Sequence, residues 1–263
     1  MEKVSILMSM YNTPIEQLKQ SIESILNQTY TNFEFIIIDD CSTGDEVKTV
    51  LEYNDSRIKL IKNKKNLGLP KSLNKGLKYI TTNYIFRMDT DDIAHLDRIE
   101  KQIKFIQDND YDLVCSRINY FDESGIYGRS KKFGDINIDD MLFGTPFAHP
   151  SMVIKKSILE SIGGYPCYTR CEDYAMELQL YANGYKGYIM EEPLLDYRLD
   201  NNNYKKKRFK DRLIEVKMKR KYFKLNKISF PKNLYIYKPL VAGIIPSGVM
   251  KKYHDRKFGK ELD

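Results

Sequence analysis

The chain has 263 residues, enough for one large domain or for one domain with an appendage, and its 42% hydrophobic content excludes a wholly disordered protein. Four cysteines are too few for a disulfide scaffold of this length. The net charge of +7 is unevenly divided: residues 201–263 carry 19 Lys and Arg against 5 Asp and Glu, whereas residues 1–200 carry 24 against 31. The sequence is therefore an acidic body followed by a strongly basic C-terminal segment.

The N-terminal residues 1–5 lack the charged leader and apolar run of a secretory signal. No stretch of the chain reaches the roughly 18–20 apolar residues that a membrane span needs. We therefore expect a cytoplasmic protein with free thiols. Cys167 and Cys171 stand four residues apart, but no second Cys or His pair accompanies them, which argues against a zinc site.

The first hundred residues alternate short apolar runs with amphipathic helical patterns. Strands are predicted at residues 4–8, 33–38, 58–61 and 84–86, with helices after them that begin near Thr13, Ser42, Leu69 and Leu96. Thr13 is predicted as a helix N-cap because Pro14 and Glu16 follow it at the positions typical of a first helical residue and a capping box. The β-α-β-α order predicts an α/β fold with a mixed, mainly parallel sheet flanked by helices.

The pattern is less regular beyond residue 110. Short strands are predicted at 113–115 and 152–154, helices at 156–162 and 173–183, and a polar boundary at 201–207. The basic residues 206–263 are then expected to form a helical C-terminal extension.

The carboxyl ends of the predicted strands indicate where a ligand binds, because open α/β sheets bind ligands outside these ends. They are residues 9–12, 39–42 and 89–92. None of these three segments is glycine-rich. The chain has neither GxGxxG after its first strand nor GxxxxGK[ST], which argues against a dinucleotide-binding protein and against a P-loop protein.

Three carboxylates crowd into the four residues Asp89-Thr90-Asp91-Asp92. Such a group repels itself unless a cation neutralises it, and oxygen ligands suit Mg²⁺ or Mn²⁺, metals that are often shared with substrate phosphates. A solvated acidic turn is the alternative. The position directly after a predicted strand, together with Asp39-Asp40 at another strand end, favours the metal site.

Short motifs follow one another in a characteristic order along residues 3 to about 200. They are VSILMSMYN (4–12), ILNQTY (25–30), FEFIIIDDCS (33–42), NLG (66–68), NKG (74–76), MDTDD (88–92), RIEKQ (98–102), HPS (149–151), GGY (163–165) and Glu172-Asp173. In this order they resemble glycosyltransferase family 2, nucleotide-sugar enzymes of the Rossmann-like GT-A fold. The resemblance implies a catalytic domain over 1–205, with a nucleotide-sugar half (about 1–110) and an acceptor half (about 111–205), followed by the extension 206–263.

The resemblance also implies roles for particular residues. The substrate-binding residues are Tyr11 against the nucleobase, Asp40 hydrogen-bonded to it, Lys71 and Asn74 near the donor, Asp89 at the diphosphate, and His149, Glu172 and Arg198 around the acceptor and diphosphate. Asp89 and Asp91 match the metal-binding DxD, with Asp92 sharing metal or ribose contacts. Asp173 matches the catalytic base. Asp200 departs from the pattern because the family usually has His there, so it is either an oxygen ligand or a surface residue.

Physical chemistry supports these roles independently. A sugar diphosphate leaving group develops negative charge that a divalent cation stabilises, and an acceptor hydroxyl needs a carboxylate to take its proton. For Glu172 and Asp173 the alternative is simple complementation of a helix dipole. We expect an inverting transferase dependent on Mn²⁺ or Mg²⁺ that moves sugar from a UDP-sugar to a growing cell-surface polysaccharide or lipid-linked glycan.

Two other functions stay open. One is sugar transfer from another nucleotide donor to polyprenyl phosphate, and the other is a non-enzymatic module that binds nucleotide sugars or nucleic acid. The basic segment itself either packs on the body or holds the protein at the anionic inner face of the cell membrane, where each Lys or Arg contributes roughly 1 kcal/mol. Nucleic acid is not the expected partner, because no recognition motif accompanies the charge.

Overall fold

A computed structural model describes residues 1–168, 170–199 and 209–244. Its strands are β1 (Val4–Met10), β2 (Phe33–Asp39), β3 (Ile58–Lys62), β4 (Tyr84–Arg87), β5 (Ile93–Ala94), β6 (Leu113–Asp122), β7 (Gly125–Arg129), β8 (Gly134–Ile136), β9 (Val153–Lys155) and β10 (Gly187–Arg198). Its α-helices are α1 (Ile15–Leu26), α2 (Glu46–Glu52), α3 (Leu69–Leu77), α4 (Arg98–Asp108), α5 (Lys156–Ser161), α6 (Glu172–Ala182), α7 (Phe209–Leu225) and α8 (Lys238–Ile244), and short 3₁₀ helices cover Ile138–Met141, His149–Ser151 and Lys232–Tyr237.

The strands form one mixed sheet in the order β3-β2-β1-β4-β9-β6-β10-β5, with β7 paired to β6 and β8 paired to β10. The four strands β3, β2, β1 and β4 are all parallel. Strand β9 runs antiparallel between β4 and β6, and β6 pairs in parallel with β10. The prediction of an α/β fold with a mixed, mainly parallel sheet is confirmed. The carboxyl ends of β1, β2 and β4 therefore lie at one edge of the sheet.

Strand β2, next to the edge strand β3, explains how helices come to cover both faces of this sheet. Phe35, Ile36, Ile37 and Ile38 are fully buried, so the strand is apolar on both sides. Successive side chains of a strand point to opposite faces. Ile36 and Ile38 belong to the core cluster under α3, while Phe35 and Ile37 belong to the cluster under α1 and α4.

Two details of the predicted helices were wrong. Thr13 does not cap α1, which begins at Ile15 without a side-chain cap. The Thr13 hydroxyl instead donates to Thr90 Oγ1 at 3.0 Å, and this bond links the start of α1 to the acidic loop. Leu96 lies before α4 with its side chain exposed, and its carbonyl accepts a hydrogen bond from the Thr29 amide at 2.9 Å.

Strand β10 is the main element that sequence reasoning missed. It runs beside β6, which begins with the predicted strand 113–115 but continues to Asp122. Its sequence contains Glu191-Glu192-Pro193, and the register shifts on both sides of Pro193. Proline cannot donate to a ladder and breaks the two-residue alternation, so the strand has no clear sequence signal.

Helix α7 packs against the body of the protein. Met218, Tyr222 and Phe223 are buried in the same core cluster as Leu178 of α6. The predicted boundary at 205/206 lies outside the described residues, as do Asp200, the basic run 205–208, and Lys251 and Lys252 in 245–263. In the part of the chain that the structure describes, no helix is both long enough and apolar enough to cross a bilayer. All four cysteines are free thiols.

Candidate active site

The acidic loop, residues 88–92, follows β4 at the carboxyl edge of the sheet and is held by three segments. The Ser21 hydroxyl of α1 donates to the Asp89 carbonyl at 2.6 Å. At the end of β10, the Arg198 backbone amide donates to Asp92 Oδ1 at 2.9 Å, and its guanidinium Nε donates to the Asp91 carbonyl at 2.9 Å. With the bond from Thr13 to Thr90, these contacts set the direction of the three carboxylates.

The carboxylates of this loop carry more negative charge than their surroundings neutralise. Asp92 is 1% exposed, and its Oδ2 atom has no hydrogen-bond partner in the described structure. Burial, and then the charges of Asp89 and Asp91, raise the pKa of Asp92 well above its usual value. Burial and the Asp89 charge raise the pKa of Asp91 to about 6. A cation or a proton is therefore favoured here.

Arg87 was not predicted from the sequence and lies directly beneath the loop. Its side chain is fully buried, its guanidinium forms an ion pair with Asp89, and Nη1 donates to the Leu7 carbonyl at 3.4 Å. The Nε atom has no hydrogen-bond partner among the described residues. An arginine inside the apolar run of a central strand is the signal that could have revealed it, because a buried charge requires a partner.

The start of α6 brings a second pair of carboxylates to the same cleft. Cys171 precedes the helix in the left-handed region with φ of 62°, and Asp173 Oδ1 accepts a hydrogen bond from the Tyr174 amide at 2.7 Å. Burial, and then the charges of Asp173 and Asp89, raise the pKa of Glu172 to about 7. The charge of the acidic loop therefore acts on the first turn of α6.

The charges of both carboxylate groups also act on Tyr197. Burial, and then the charges of Asp92, Asp89, Asp91 and Asp173, raise the pKa of its phenol. The structure thus brings together the predicted metal-binding residues and the predicted base, although they are some eighty residues apart in sequence.

His149 is buried at the edge of this cluster. Its Nε2 atom lies 3.3 Å from the Tyr165 hydroxyl, and burial, with the nearby Arg87 charge, lowers the pKa of the imidazole well below its usual value. A neutral imidazole can donate one hydrogen bond and accept another. His149 therefore positions Tyr165 without adding charge to the cleft.

Asn74 interlocks α3 with the Gly163-Gly164-Tyr165 turn. Its Nδ2 atom donates to the Tyr165 carbonyl and its Oδ1 atom accepts from the Tyr165 amide, both at 2.8 Å. A Cβ atom on Gly164 would lie 2.4 Å from Asn74 Oδ1, and Gly164 has φ of +79°, so glycine is required there. The described role of the Asn74 amide is to hold this turn.

The residues predicted around the nucleobase lie at the ends of β1 and β2. Tyr11 is 49% exposed. Asp40 is buried, and it accepts hydrogen bonds from the amides of Leu67 and Gly68 at 2.8 Å each and from Asn63 Nδ2 at 2.7 Å. Asp40 therefore orders the loop before α3, and Lys71 is exposed in the first turn of that helix.

The Arg198 guanidinium lies across the acidic loop. Besides the Asp91 carbonyl, it contacts Gln20 Oε1 at 2.7 Å and stacks 4.4 Å from the centre of the Phe121 ring. It joins β10 to α1 and fixes the position of Asp91.

A match to the family model described as "Glycosyl transferase family 2" covers residues 5–163, which include the acidic loop and His149. The chain belongs to glycosyltransferase family 2. It is 30% identical over 237 residues to the Escherichia coli "UDP-Gal:alpha-D-GlcNAc-diphosphoundecaprenol beta-1,3-galactosyltransferase", a match that covers 87% of this chain and 86% of that protein. The chain is therefore a glycosyltransferase, as predicted.

Solved structures agree with the GT-A fold of this family. S. aureus TarS in complex with UDP-GlcNAc superposes with a TM-score of 0.68 at 16% identity, covering 92% of this chain and 71% of that one. The mannosyltransferase PcManGT from Pyrobaculum calidifontis, in complex with GDP-Man and Mn²⁺, superposes with a TM-score of 0.60 at 16% identity, covering 96% of this chain and 79% of that one. At these identities the likeness establishes the fold.

The oxygen donors of the acidic loop fit a divalent metal that the substrate helps to bind. Within residues 1–168, 170–199 and 209–244, no three His, Cys, Asp or Glu side chains converge closely enough to form a complete protein cage. Mg²⁺ typically takes one or two carboxylates and completes its shell with water and substrate phosphates. Asp91 and the unpartnered Oδ2 of Asp92 are oxygen ligands of the required type.

Proposed function

We propose that this family 2 enzyme is a metal-dependent, inverting glycosyltransferase that uses a UDP-sugar and extends a cell-surface polysaccharide or lipid-linked glycan. The observation that carries the proposal is the acidic loop at the carboxyl edge of the sheet, where Asp92 is buried with its Oδ2 atom unpartnered among the described residues. The charges of this loop and of the Glu172-Asp173 pair act on each other, which supports a shared site. The Escherichia coli relative supports a UDP-sugar donor and a diphosphoundecaprenol-linked acceptor. TarS, with UDP-GlcNAc, supports the same donor class.

Asp89, Asp91 and Asp92 would hold Mn²⁺ or Mg²⁺ together with the donor diphosphate. The bound metal supplies Lewis-acid stabilisation of the charge that develops on the leaving UDP. Tyr11 lies against the nucleobase, and buried Asp40 orders the loop that precedes α3 on the donor side. Lys71 lies on the same side in the first turn of α3. The stacked Arg198 and the ion pair between Arg87 and Asp89 keep the carboxylates in position while the donor binds.

Asp173 acts as the base that removes the proton from the acceptor hydroxyl as that oxygen attacks the anomeric carbon. Because the hydroxyl approaches the face opposite to the leaving diphosphate, one displacement inverts the anomeric centre. Glu172 stands beside the base and contacts the acceptor. Neutral His149 contacts the buried Tyr165 hydroxyl and so supports the turn of residues 163–165.

The test is UDP release from a panel of UDP-sugars with Mn²⁺ or Mg²⁺, followed by determination of the product's anomeric configuration by NMR. Asp173→Asn should lower kcat by about 10²- to 10⁴-fold, the usual contribution of a general base. The matched control is Asp108→Asn, at the exposed end of α4. Full activity of Asp173→Asn, or a product with retained configuration, would refute the mechanism.

GDP-sugars belong in the same panel, because the mannosyltransferase PcManGT carries GDP-Man. Turnover of a GDP-sugar with polyprenyl phosphate, and none with UDP-sugars, would select the second candidate reaction. Salt-dependent binding of RNA without turnover of any donor would select a binding module.

A further inference from the structure

The C-terminal part of the described chain concentrates exposed apolar side chains. Of the fifteen large apolar residues exposed in the described structure, seven lie between residues 209 and 241: Phe209, Leu213, Leu225, Phe230, Leu234, Tyr237 and Val241. The same stretch, 209–244, contains ten Lys and Arg but only two Asp and Glu. Exposed apolar groups of this density usually mark a surface that contacts a partner.

On α7 the exposed residues form one stripe. At 100° per residue, Phe209, Leu213, Lys217, Arg220 and Lys224 fall within an arc of about 80°. All five side chains are exposed, with Phe209 at 70%. The opposite side of the helix holds Met218, Tyr222 and Phe223 in the core. The helix therefore has a buried face toward the body and an outer face that is apolar at its N-terminal end and basic toward its C-terminal end.

The segment after α7 extends this outer face. Leu234, Tyr237 and Val241 are exposed at spacings of three and four residues. Arg220 Nη2 donates to the Tyr237 hydroxyl at 3.3 Å, and Arg212 Nη1 donates to the Pro239 carbonyl at 2.7 Å, so the two stripes are adjacent. We call the eight residues Phe209, Leu213, Lys217, Arg220, Lys224, Leu234, Tyr237 and Val241 the docking face.

We propose that the docking face binds the surface of an anionic lipid bilayer. Apolar side chains beside Lys and Arg match the boundary between acyl chains and acidic headgroups, where each basic residue contributes about 1 kcal/mol. Arg170 Nε lies 3.6 Å from Asp211 Oδ2, so the start of α7 contacts the segment that immediately precedes Glu172 and Asp173. The membrane that the docking face binds would also hold a lipid-linked acceptor. That last step rests on the proposed function, whereas bilayer binding does not.

The experiment is co-sedimentation of the full chain with vesicles of phosphatidylcholine, with and without phosphatidylglycerol. Wild-type protein should bind the anionic vesicles and be released by salt. Reversing Lys217, Arg220 and Lys224 to Glu should weaken binding more than tenfold, and Phe209→Ser with Leu213→Ser should also weaken it. The matched controls are Lys48, Lys78 and Lys104 reversed to Glu, and Leu51→Ser, whose side chain is 61% exposed, between Leu213 at 40% and Phe209 at 70%.

UDP release from a donor sugar without lipid, measured in parallel, separates the two proposals. Docking-face variants should keep this activity while they lose vesicle binding. The docking proposal would be overturned if the docking-face variants bound vesicles as tightly as wild type, or if the control variants lost as much binding. It would also be overturned if the wild-type protein were a dimer that the docking-face variants convert to a monomer. If the protein bound anionic vesicles but turned over no donor sugar, the docking proposal would stand and the proposed function would be refuted.

Discussion

Arg87 contributes a fixed positive charge to a cleft dominated by carboxylates. Its side chain is buried below Asp89, and its charge also moderates the pKa values of Asp91, Asp92 and Glu172. Burying an unpaired carboxylate oxygen is costly, and the loop buries Asp92 with its Oδ2 atom unpartnered among the described residues. Arg87 therefore permits the loop to fold before any metal or diphosphate arrives.

Replacing Arg87 with an uncharged residue should make the stability of the protein depend more on added metal. Breaking a buried ion pair costs about 3–5 kcal/mol, so Arg87→Met should melt well below wild type in a chelator. Added Mn²⁺ then becomes the main countercharge for Asp89 and should raise the melting temperature of Arg87→Met more than that of wild type. Thermal unfolding with and without Mn²⁺ measures this. Arg87→Lys, which keeps the charge, should respond like wild type, and equal Mn²⁺ shifts in Arg87→Met and wild type would contradict the idea.

Glu172 should make stability depend on pH. Its pKa is raised to about 7 in the folded chain from 4.5, so the folded state holds a proton that the unfolded state has lost between these values. The free energy of unfolding should therefore fall as pH rises from about 4.5 to 7.

Glu172→Gln should remove this fall in the free energy of unfolding, because glutamine does not titrate. With a chelator present, the variant should match wild type at pH 4 and exceed it by about 1–3 kcal/mol at pH 8, at 1.36 kcal/mol per pKa unit. Urea unfolding at the two pH values measures the difference. The exposed Glu160→Gln on α5 serves as control, and a constant gap between Glu172→Gln and wild type across this range would be inconsistent with the assignment.

Among the elements, α3 depends on a close approach to the sheet. A Cβ atom on Gly76 would lie 2.4 Å from Leu7 Cδ1 and 3.2 Å from Ile38 Cγ1. Gly76→Ala should therefore destabilise the protein by about 1–3 kcal/mol through overpacking, although alanine is the better helix former by about 1 kcal/mol. Denaturant unfolding of Gly76→Ala, Leu7→Ala and the double variant should give a combined cost below the sum of the single costs. Lys104→Ala, exposed on α4, should be nearly neutral.

Helices and strands could be predicted from the sequence where their buried side chains form a regular apolar pattern along the chain. Strand β2 contains the apolar run 35–38 because helices cover both of its faces, and α6 was predicted to within one residue from its apolar spacing. Strand β10 escaped because Pro193 interrupts it and its burial depends on the distant strand β6.

The candidate site was likewise predicted only in part from the sequence. The acidic loop was visible as a motif, whereas Arg87 beneath it and the Asp40 bonds to Leu67 and Gly68 depend on chain segments that meet only in the fold. Asn74 was predicted near the donor, and its bonds to Tyr165 join two motifs that sequence reasoning treated separately.

At the scale of the whole molecule, the acidic and basic parts of the sequence are not separate structural units. The basic segment begins beyond the acidic body, yet α7 contributes to the core cluster that lies under α3, α5 and α6. Lys219 is itself fully buried and donates to the carbonyls of Leu142 and Tyr235 at 3.2 and 3.4 Å. Basic charge is thus carried on the outer face of a helix whose inner face stabilises the transferase.

A chain that ends at residue 205 should consequently be unstable. It lacks Met218, Tyr222 and Phe223, each of which contributes roughly 1.5–3 kcal/mol by burial, against a total stability of about 5–15 kcal/mol for a typical domain. It should melt at a lower temperature and bind a hydrophobic dye, whereas a chain ending at residue 244 keeps all three side chains. Equal melting temperatures for the 205-residue chain and the full chain would make α7 dispensable. Because we expect the shorter chain to lose core contacts, membrane binding is better tested with substitutions on the outer face than with truncation.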